Sequence, residues 1–289
     1  MTDLQYLVDG EIVPADRATV NVRDRGFLYG DAAFETLRIY GGTAFAWESH
    51  MDRLDRTCEA LSLDHGIDRM RLRTWLHRVL DANELDEAAV RISITRGVQP
   101  GVLTPHPEVD PTVVMIVRPL TRGGLAGEPT WSEPATLRIV EVQKVPTEAI
   151  PAHAKTHNYL NGVLARLELE AGDADAILLD REGLVTEGTT CNIFVVDGGI
   201  VKTPPLSRGV LPGITREATI ALAEAIDIPI DEVDLTPADL ETADEAFMTN
   251  TTSEVRPIGA IDDTEFSVGP VTDRLHQAFC AAIEAHHYR

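Results

Sequence analysis

The chain runs to 289 residues, a length that suits two domains or one large α/β domain with a divided core. Hydrophobic residues at 44% and charged residues at 25% supply a sizeable core and exclude a disordered or collagen-like chain. The 47 acidic residues against 25 basic ones leave a net charge of −22, which repels phosphate backbones and excludes a nucleic-acid binder.

At the N-terminus, Met1-Thr2-Asp3-Leu4-Gln5 has neither the basic nor the apolar region of an export signal, so a cytoplasmic location is expected. Gln5 to Val8 and Glu11 to Val13 flank Asp9-Gly10, a hairpin signal. Phe34 to Tyr40 leads through Gly41-Gly42 into Thr43 to Trp47, which predicts a second hairpin. Ser49-His50-Met51-Asp52 resembles a capping box, and Met51, Leu54, Cys58 and Leu61 recur at helical spacing, giving a helix over about 49–61. A second helix is predicted over about 69–82. Val90, Ile92 and Ile94 alternate with Arg91, Ser93 and Thr95, so 89–96 reads as a half-buried strand whose polar face is a candidate site wall.

Thr112 to Val117 is among the longest apolar runs and is strand length, well short of the about 18 residues that span a bilayer, so no membrane protein is expected. The richest glycine stretch, Thr121-Arg122-Gly123-Gly124-Leu125-Ala126-Gly127-Glu128-Pro129, marks a linker over 121–129 between a domain of 1–120 and one of 130–289. Strands near 136–145, 175–180, 192–197, 199–203 and 246–249 interleave with helices near 156–171, 215–227 and 270–286. That mixed order predicts α+β packing and argues against a doubly wound parallel sheet.

Common catalytic signatures are missing: there is no GxSxG elbow, GxxxxGK[ST] loop, HExxH pair or helix-opening GxGxxG. His153 and His157 stand four apart without an acidic third ligand nearby, so no metal is expected. Cys58, Cys191 and Cys280 are odd in number and widely spaced, which predicts buried reduced thiols. Lysine occurs only at 144, 155 and 202, leaving 22 arginines among the cations. Such an acidic, lysine-poor surface suits a high-salt cytoplasm and predicts a halophilic source, although GC-rich codon usage gives the same arginine excess. Schiff-base chemistry would have to use one of the three lysines. Lys144 and Lys202 read as solvated strand positions, whereas Lys155 stands at a strand-to-helix junction where a side chain can enter a cleft.

Four segments occur in telling order: Lys155-Thr156-His157-Asn158-Tyr159-Leu160-Asn161, Thr186-Glu187-Gly188-Thr189-Thr190-Cys191-Asn192-Ile193-Phe194, Leu211-Pro212-Gly213-Ile214-Thr215-Arg216 and Met248-Thr249-Asn250-Thr251-Thr252-Ser253-Glu254. Together they resemble the class IV aminotransferase family, the fold-type IV pyridoxal-phosphate enzymes. Arg25-Gly26-Phe27-Leu28-Tyr29-Gly30-Asp31-Ala32-Ala33-Phe34-Glu35-Thr36 and His50-Met51-Asp52-Arg53-Leu54 are similar to the family's N-terminal motifs, so the resemblance runs nearly end to end. It implies a two-domain architecture, with a smaller α/β N-terminal domain and a larger C-terminal domain around a β-barrel-like core. It also implies pyridoxal 5'-phosphate as cofactor, a small amino substrate and a homodimer.

The resemblance assigns roles that chemistry can rationalise. Lys155 would form the imine with the cofactor and later move a proton as a base. Glu187 would pair with the pyridine nitrogen and keep it protonated, so that the ring acts as an electron sink. Ile214 and Thr215 would present helix-start amides to the phosphate, Thr251 and Thr252 would add hydroxyl donors, and Arg53 would supply positive charge. Tyr159 would lie beside the phenolic oxygen.

On the substrate side, branched-chain enzymes of the family carry Tyr-x-Arg where this chain reads Ala89-Val90-Arg91, and glycine where it has Thr36. D-amino-acid aminotransferases follow Thr-Arg-Gly with an Arg-x-His carboxylate trap, but here Thr95-Arg96-Gly97 leads to Pro100-Gly101-Val102-Leu103. Thr36 after Phe34-Glu35, with the Lys-x-His-x-Tyr-Leu pattern, resembles the 4-amino-4-deoxychorismate lyases, which eliminate pyruvate to leave 4-aminobenzoate for folate-type cofactors. Thr36 would relay a proton to the departing enol, with Phe34 and Arg91 lining the substrate side. The expected order is therefore this lyase first, an aminotransferase for branched-chain or D-amino acids second, and a non-catalytic pyridoxal-phosphate binder third.

Overall fold

The computed structural model describes residues 4–99, 101–106, 108, 110–120, 131 and 133–287, so the expected linker over 121–129 lies outside the described residues. The chain divides into two compact units. One holds the described residues up to 120 together with Ala154–Asn158, and the other holds 131–153 and 159–287.

In the first unit the order is β1 (Gln5–Val8), β2 (Glu11–Pro14), α1 (Arg25–Tyr29), β3 (Ala32–Tyr40), β4 (Thr43–Ala44), α2 (Trp47–Ala60), α3 (Arg69–Asp81), β5 (Ala88–Thr95) and β6 (Val113–Pro119). Its described strands form a six-stranded antiparallel sheet in the order β2-β1-β6-β5-β3-β4. The β1–β2 hairpin turns at Asp9 and Gly10 with φ of 50° and 85°, the two left-handed positions that a tight hairpin needs. Helix α3 starts at Asp68, whose carboxylate accepts from Arg71 N at 2.7 Å. Met51 and Leu54 of α2 and Leu72 and Leu76 of α3 share a core with Leu37, Ile39, Val90 and Ile92. Burying each of these side chains stabilises by about 1.5–3 kcal/mol, which holds both helices to one sheet face.

Three local expectations are corrected here. The second hairpin strand stops at Ala44, and α2 begins at Trp47 after Ala46, which has φ 46° and no side-chain cap. The capping box at Ser49 therefore does not form, because burying Trp47 against the core outweighs a local cap. Strand β5 is buried along its whole length except at half-buried Arg91, since His157 bonds to Ser93 and Asp24 accepts from Thr95 on its polar face.

The second unit contains β7 (Ala135–Ile139), α4 (Leu160–Arg166), β8 (Asp175–Leu179), β9 (Val185–Gly188), β10 (Asn192–Asp197), β11 (Ile200–Thr203), α5 (Ile214–Ala225), β12 (Ile230–Glu232), α6 (Pro237–Glu241), β13 (Glu245–Asn250), β14 (Glu254–Ile261), β15 (Thr264–Glu265) and α7 (Pro270–His287). Its described strands make a nine-stranded sheet, β12-β11-β10-β13-β14-β7-β8-β9, with β15 on β14. The pairs β11–β12, β14–β7 and β7–β8 are parallel, and the mixed sheet gives the α+β class. Leu137, Ile177, Ile193, Val195, Met248 and Ile258 lie in its core.

Strand β7 ends at Ile139, six residues earlier than expected, because the Glu168 carboxylate takes the Glu141 and Val142 amides. The helix expected near 156–171 is confined to Leu160–Arg166. Its first residues are drawn instead to the edge of β3, where Phe34 N donates to Lys155 O at 3.0 Å and His157 N to Ala32 O at 3.1 Å. All three cysteines are buried and free, and burial pushes the Cys58 thiol up to about 12. Among the described residues, no helix is long and apolar enough to cross a membrane.

Candidate active site

Residues 154–158 extend the β3 edge, with Thr156 bridging to Ala33. Strand alternation then puts Lys155 and His157 on the opposite side from Thr156, toward the Phe34 face. The Lys155 Nζ lies 4.5 Å from the Phe34 ring centre, and the Arg91 guanidinium carbon lies 3.6 Å from the same centre. Register pairs Phe34 with Ser93 and Thr36 with Arg91, so these four side chains share one face. Two cations over one aromatic ring make a surface suited to an anionic substrate.

His157 completes this group: its ring meets Phe34 edge-on at 5.6 Å, and its Nε2 lies 3.2 Å from Ser93 Oγ. Burial, reinforced by Arg91, lowers the His157 pKa to about 4. The ring is therefore neutral near pH 7 and accepts the Ser93 proton, while Arg91 Nε donates to the same oxygen at 3.2 Å. The Lys155 backbone is anchored as well, since its N–H donates to Thr57 Oγ1 at 3.0 Å and that hydroxyl donates to Arg53 O at 2.9 Å.

On the helix-packed face of β3, Glu35 is fully buried. Its carboxylate accepts from Arg53 Nε and Nη2, both at 2.7 Å, and from His50 Nδ1 at 2.8 Å. Burial opposes ionisation of Glu35, but Arg53 and His50 outweigh it and hold its pKa at about 2. Arg53, expected at the phosphate, is thus a buried cation whose plane Glu35 sets.

In the second unit Glu187, on β9, is buried, not a turn-exposed carboxylate. Lys144 donates to its Oε1, and Leu211 N and Asn192 Nδ2 donate to its Oε2 at 3.0 and 3.2 Å. Lys144 is therefore not the solvated strand residue expected: it lies beyond the end of β7 and is tied to Glu187.

Asn192 also donates to Leu211 O at 3.1 Å, and its Oδ1 crowds Gly213, where an added Cβ would stand 2.1 Å away. Gly213 precedes α5 without a side-chain cap, so the Ile214 and Thr215 amides open at a positive helix end. Thr249, the cross-strand partner of Asn192, is buried with its hydroxyl lacking a hydrogen-bond partner. Thr251 and Thr252 form the β13–β14 turn, where Asn250 Oδ1 accepts from Thr252 N at 3.0 Å. Tyr159 is the residue that precedes α4.

Lys155, Phe34, Thr36 and Arg91 thus share one face, and Glu187 keeps company with the start of α5. Missed by sequence reading were Glu35, His50, Ser93, His157, Lys144, Asn192 and Thr249. Only His157 carried a usable signal, two residues after Lys155 and on the same side of an extended segment.

The amino-transferase class IV family model matches residues 32–261. A Methanocaldococcus jannaschii protein provisionally named a branched-chain-amino-acid aminotransferase is 36% identical over 281 residues, covering 96% of this chain and 95% of its own. The structure of a branched-chain aminotransferase from Thermoproteus uzoniensis with norvaline superposes with a TM-score of 0.88 at 30% identity, covering 98% of this chain and 97% of that one. The 4-amino-4-deoxychorismate lyase from Pseudomonas aeruginosa superposes with a TM-score of 0.79 at 30% identity, covering 97% and 98%. Other branched-chain aminotransferases of similar fold hold pyridoxamine 5'-phosphate or N-(5'-phosphopyridoxyl)-L-glutamate.

Proposed function

Because this chain belongs to the class IV aminotransferase family and is a pyridoxal-phosphate enzyme, we propose that it is a 4-amino-4-deoxychorismate lyase, releasing pyruvate and leaving 4-aminobenzoate. The observation that carries this reading is Thr36, a half-buried hydroxyl paired with Arg91 on the Phe34 face, where branched-chain enzymes of the family have glycine.

The donor set fits pyridoxal phosphate: an amine at Lys155, a buried carboxylate at Glu187, an uncapped helix start at α5 and an unpartnered hydroxyl at Thr249. Gly213 adds a cradle that a Cβ would crowd. When bound, the cofactor supplies an aldehyde for amine attachment and a ring that accepts an electron pair.

Lys155 holds that aldehyde and, once released, takes the proton from the substrate carbon bearing the amine. Glu187 holds the proton of the ring nitrogen, its orientation set by Lys144 and Asn192. The Ile214 and Thr215 amides, the Thr251 and Thr252 hydroxyls and Arg53 hold the phosphate, with Tyr159 at the phenolic oxygen. Arg91 binds the substrate carboxylate, and Thr36 gives its proton to the methylene carbon of the leaving enolpyruvate, regaining one from water.

The exposed side chains of Leu160, Val163, Leu164 and Leu167 fall at one-face helical spacing along α4. This apolar stripe supports a homodimer, a second copy of the chain covering it. A second reading, amino transfer from branched-chain or D-amino acids, is favoured by the 36% identity to the archaeal relative and the higher TM-score of the norvaline-bound structure.

Incubation with aminodeoxychorismate, and separately with leucine or D-alanine plus 2-oxoglutarate, tests the assignment. The expected products are 4-aminobenzoate and pyruvate from the first mixture; keto acid without 4-aminobenzoate reverses the ranking. Borohydride trapping with peptide mapping is expected to label Lys155, and Lys155→Ala to lower turnover by about a thousandfold or more. A label on Lys144 or Lys202, or an active Lys155→Ala protein, removes the mechanism.

A further inference from the structure

Among the described residues, one trio of metal-type side chains gathers outside those assigned above to cofactor or substrate: Glu254, His276 and Cys280. We propose that these three bind a structural zinc ion that ties α7 to β14.

All three are buried, at 1%, 6% and 1% exposure, and one ligand atom from each lies within 4.8 Å of the others. His276 Nε2 and Cys280 Sγ are already 3.5 Å apart. Tetrahedral zinc with bonds of about 2.0–2.3 Å separates its ligand atoms by about 3.3–3.8 Å, so a contraction of about 1 Å at Glu254 completes the set. His276 and Cys280 stand four apart on α7 and project from one face of the helix. Glu254 enters from the first position of β14, where φ of 55° holds it at the turn from β13.

Charge argues the same way. A carboxylate, a thiolate and a neutral imidazole around Zn²⁺ sum to zero, which suits a buried place where a lone carboxylate is costly. Zinc binding forms a Zn–S bond as Cys280 gives its thiol proton to solvent. The Trp131 ring covers His276 at 5.7 Å between ring centres. One turn before His276, Thr272 carries a buried hydroxyl without a hydrogen-bond partner, which a zinc-bound water in the fourth position satisfies. Sequence spacing hid the site because Glu254 lies 22 residues before His276 in the chain.

Elemental analysis of the full-length protein, purified without added metal and also after Zn²⁺ titration, is expected to give one zinc per chain. X-ray absorption at the zinc edge should show a single sulfur neighbour. Cys280→Ser should lose that sulfur while Cys58→Ala keeps it, and the near-isosteric Glu254→Gln should weaken zinc binding by more than about tenfold. Chelation should lower the thermal midpoint of wild type but not of Cys280→Ser. Wild-type protein that takes up no zinc under titration overturns the proposal. So does zinc whose sulfur neighbour survives in Cys280→Ser, or zinc affinity unchanged in Glu254→Gln.

Discussion

At Glu35 a single carboxylate decides how α2 is held, because it binds both His50 and Arg53 with no exposure to water. Glu35→Gln keeps the shape but leaves the Arg53 guanidinium buried beside a neutral amide. It should cost about 3 kcal/mol, read as a lower urea midpoint at unchanged slope. The same charges set an acid limit. Glu35 has its pKa lowered from 4.5 to about 2, so its contribution is full above pH 4.5 and fades as pH falls through about 2.

His157 acts in a higher window. Its pKa is lowered from 6.5 to about 4, so the unfolded chain takes up the proton first. Stability from His157 is therefore full above pH 6.5 and drains as pH falls toward about 4. Buried His50 and His65 are shifted in the same direction. Thermal midpoints between pH 7.5 and 3.5 should consequently fall less steeply in His157→Gln than in wild type. Parallel curves would show that Ser93 and Arg91 do not hold the ring neutral.

Elements, in turn, place chemistry where side-chain identity alone would not. Lys155 is fixed by the free edge of β3, which recruits 154–158 as an extended strip before α4 begins. The start of α5 depends on close approach: Asn192, bonded to Glu187 and Leu211, fills the space that a side chain at 213 would need. Gly213→Ala should push Asn192 off Glu187. The lost hydrogen bond, worth about 1–1.5 kcal/mol, would weaken pyridoxal phosphate about tenfold in an absorbance titration. Unchanged affinity would separate Gly213 from the cofactor.

For the molecule as a whole, the net charge of −22 is spread over 289 residues with only three lysines. Self-repulsion of that size favours expansion at low ionic strength and is screened within about 3 Å at 1 M salt. The thermal midpoint should therefore climb by about 5–10 °C from dilute buffer to molar KCl, as followed by calorimetry. A flat response would attribute the arginine excess to codon usage and remove the case for a halophilic source.

Local order was legible wherever a signal needed only its neighbours. The Asp9-Gly10 turn, the strand alternation across Val90–Thr95, the helices over 69–81 and 214–225, and the scarcity that singled out Lys155 all belong to this kind. Folding itself had to decide the rest. Trp47 moved a helix start, the β3 edge shortened a predicted helix, and ion pairs and hydrogen bonds joined residues far apart in the chain. Lys144 and Glu187 are separated by 43 positions and Ser93 and His157 by 64. Glu254 reaches His276 and Cys280 only after β14 and α7 have packed. Propensity and periodicity act within a turn or two of chain, whereas burial and electrostatics act through space. The protonation of His157, the pairing of Glu187 and the crowding at Gly213 therefore existed only once the sheets had assembled.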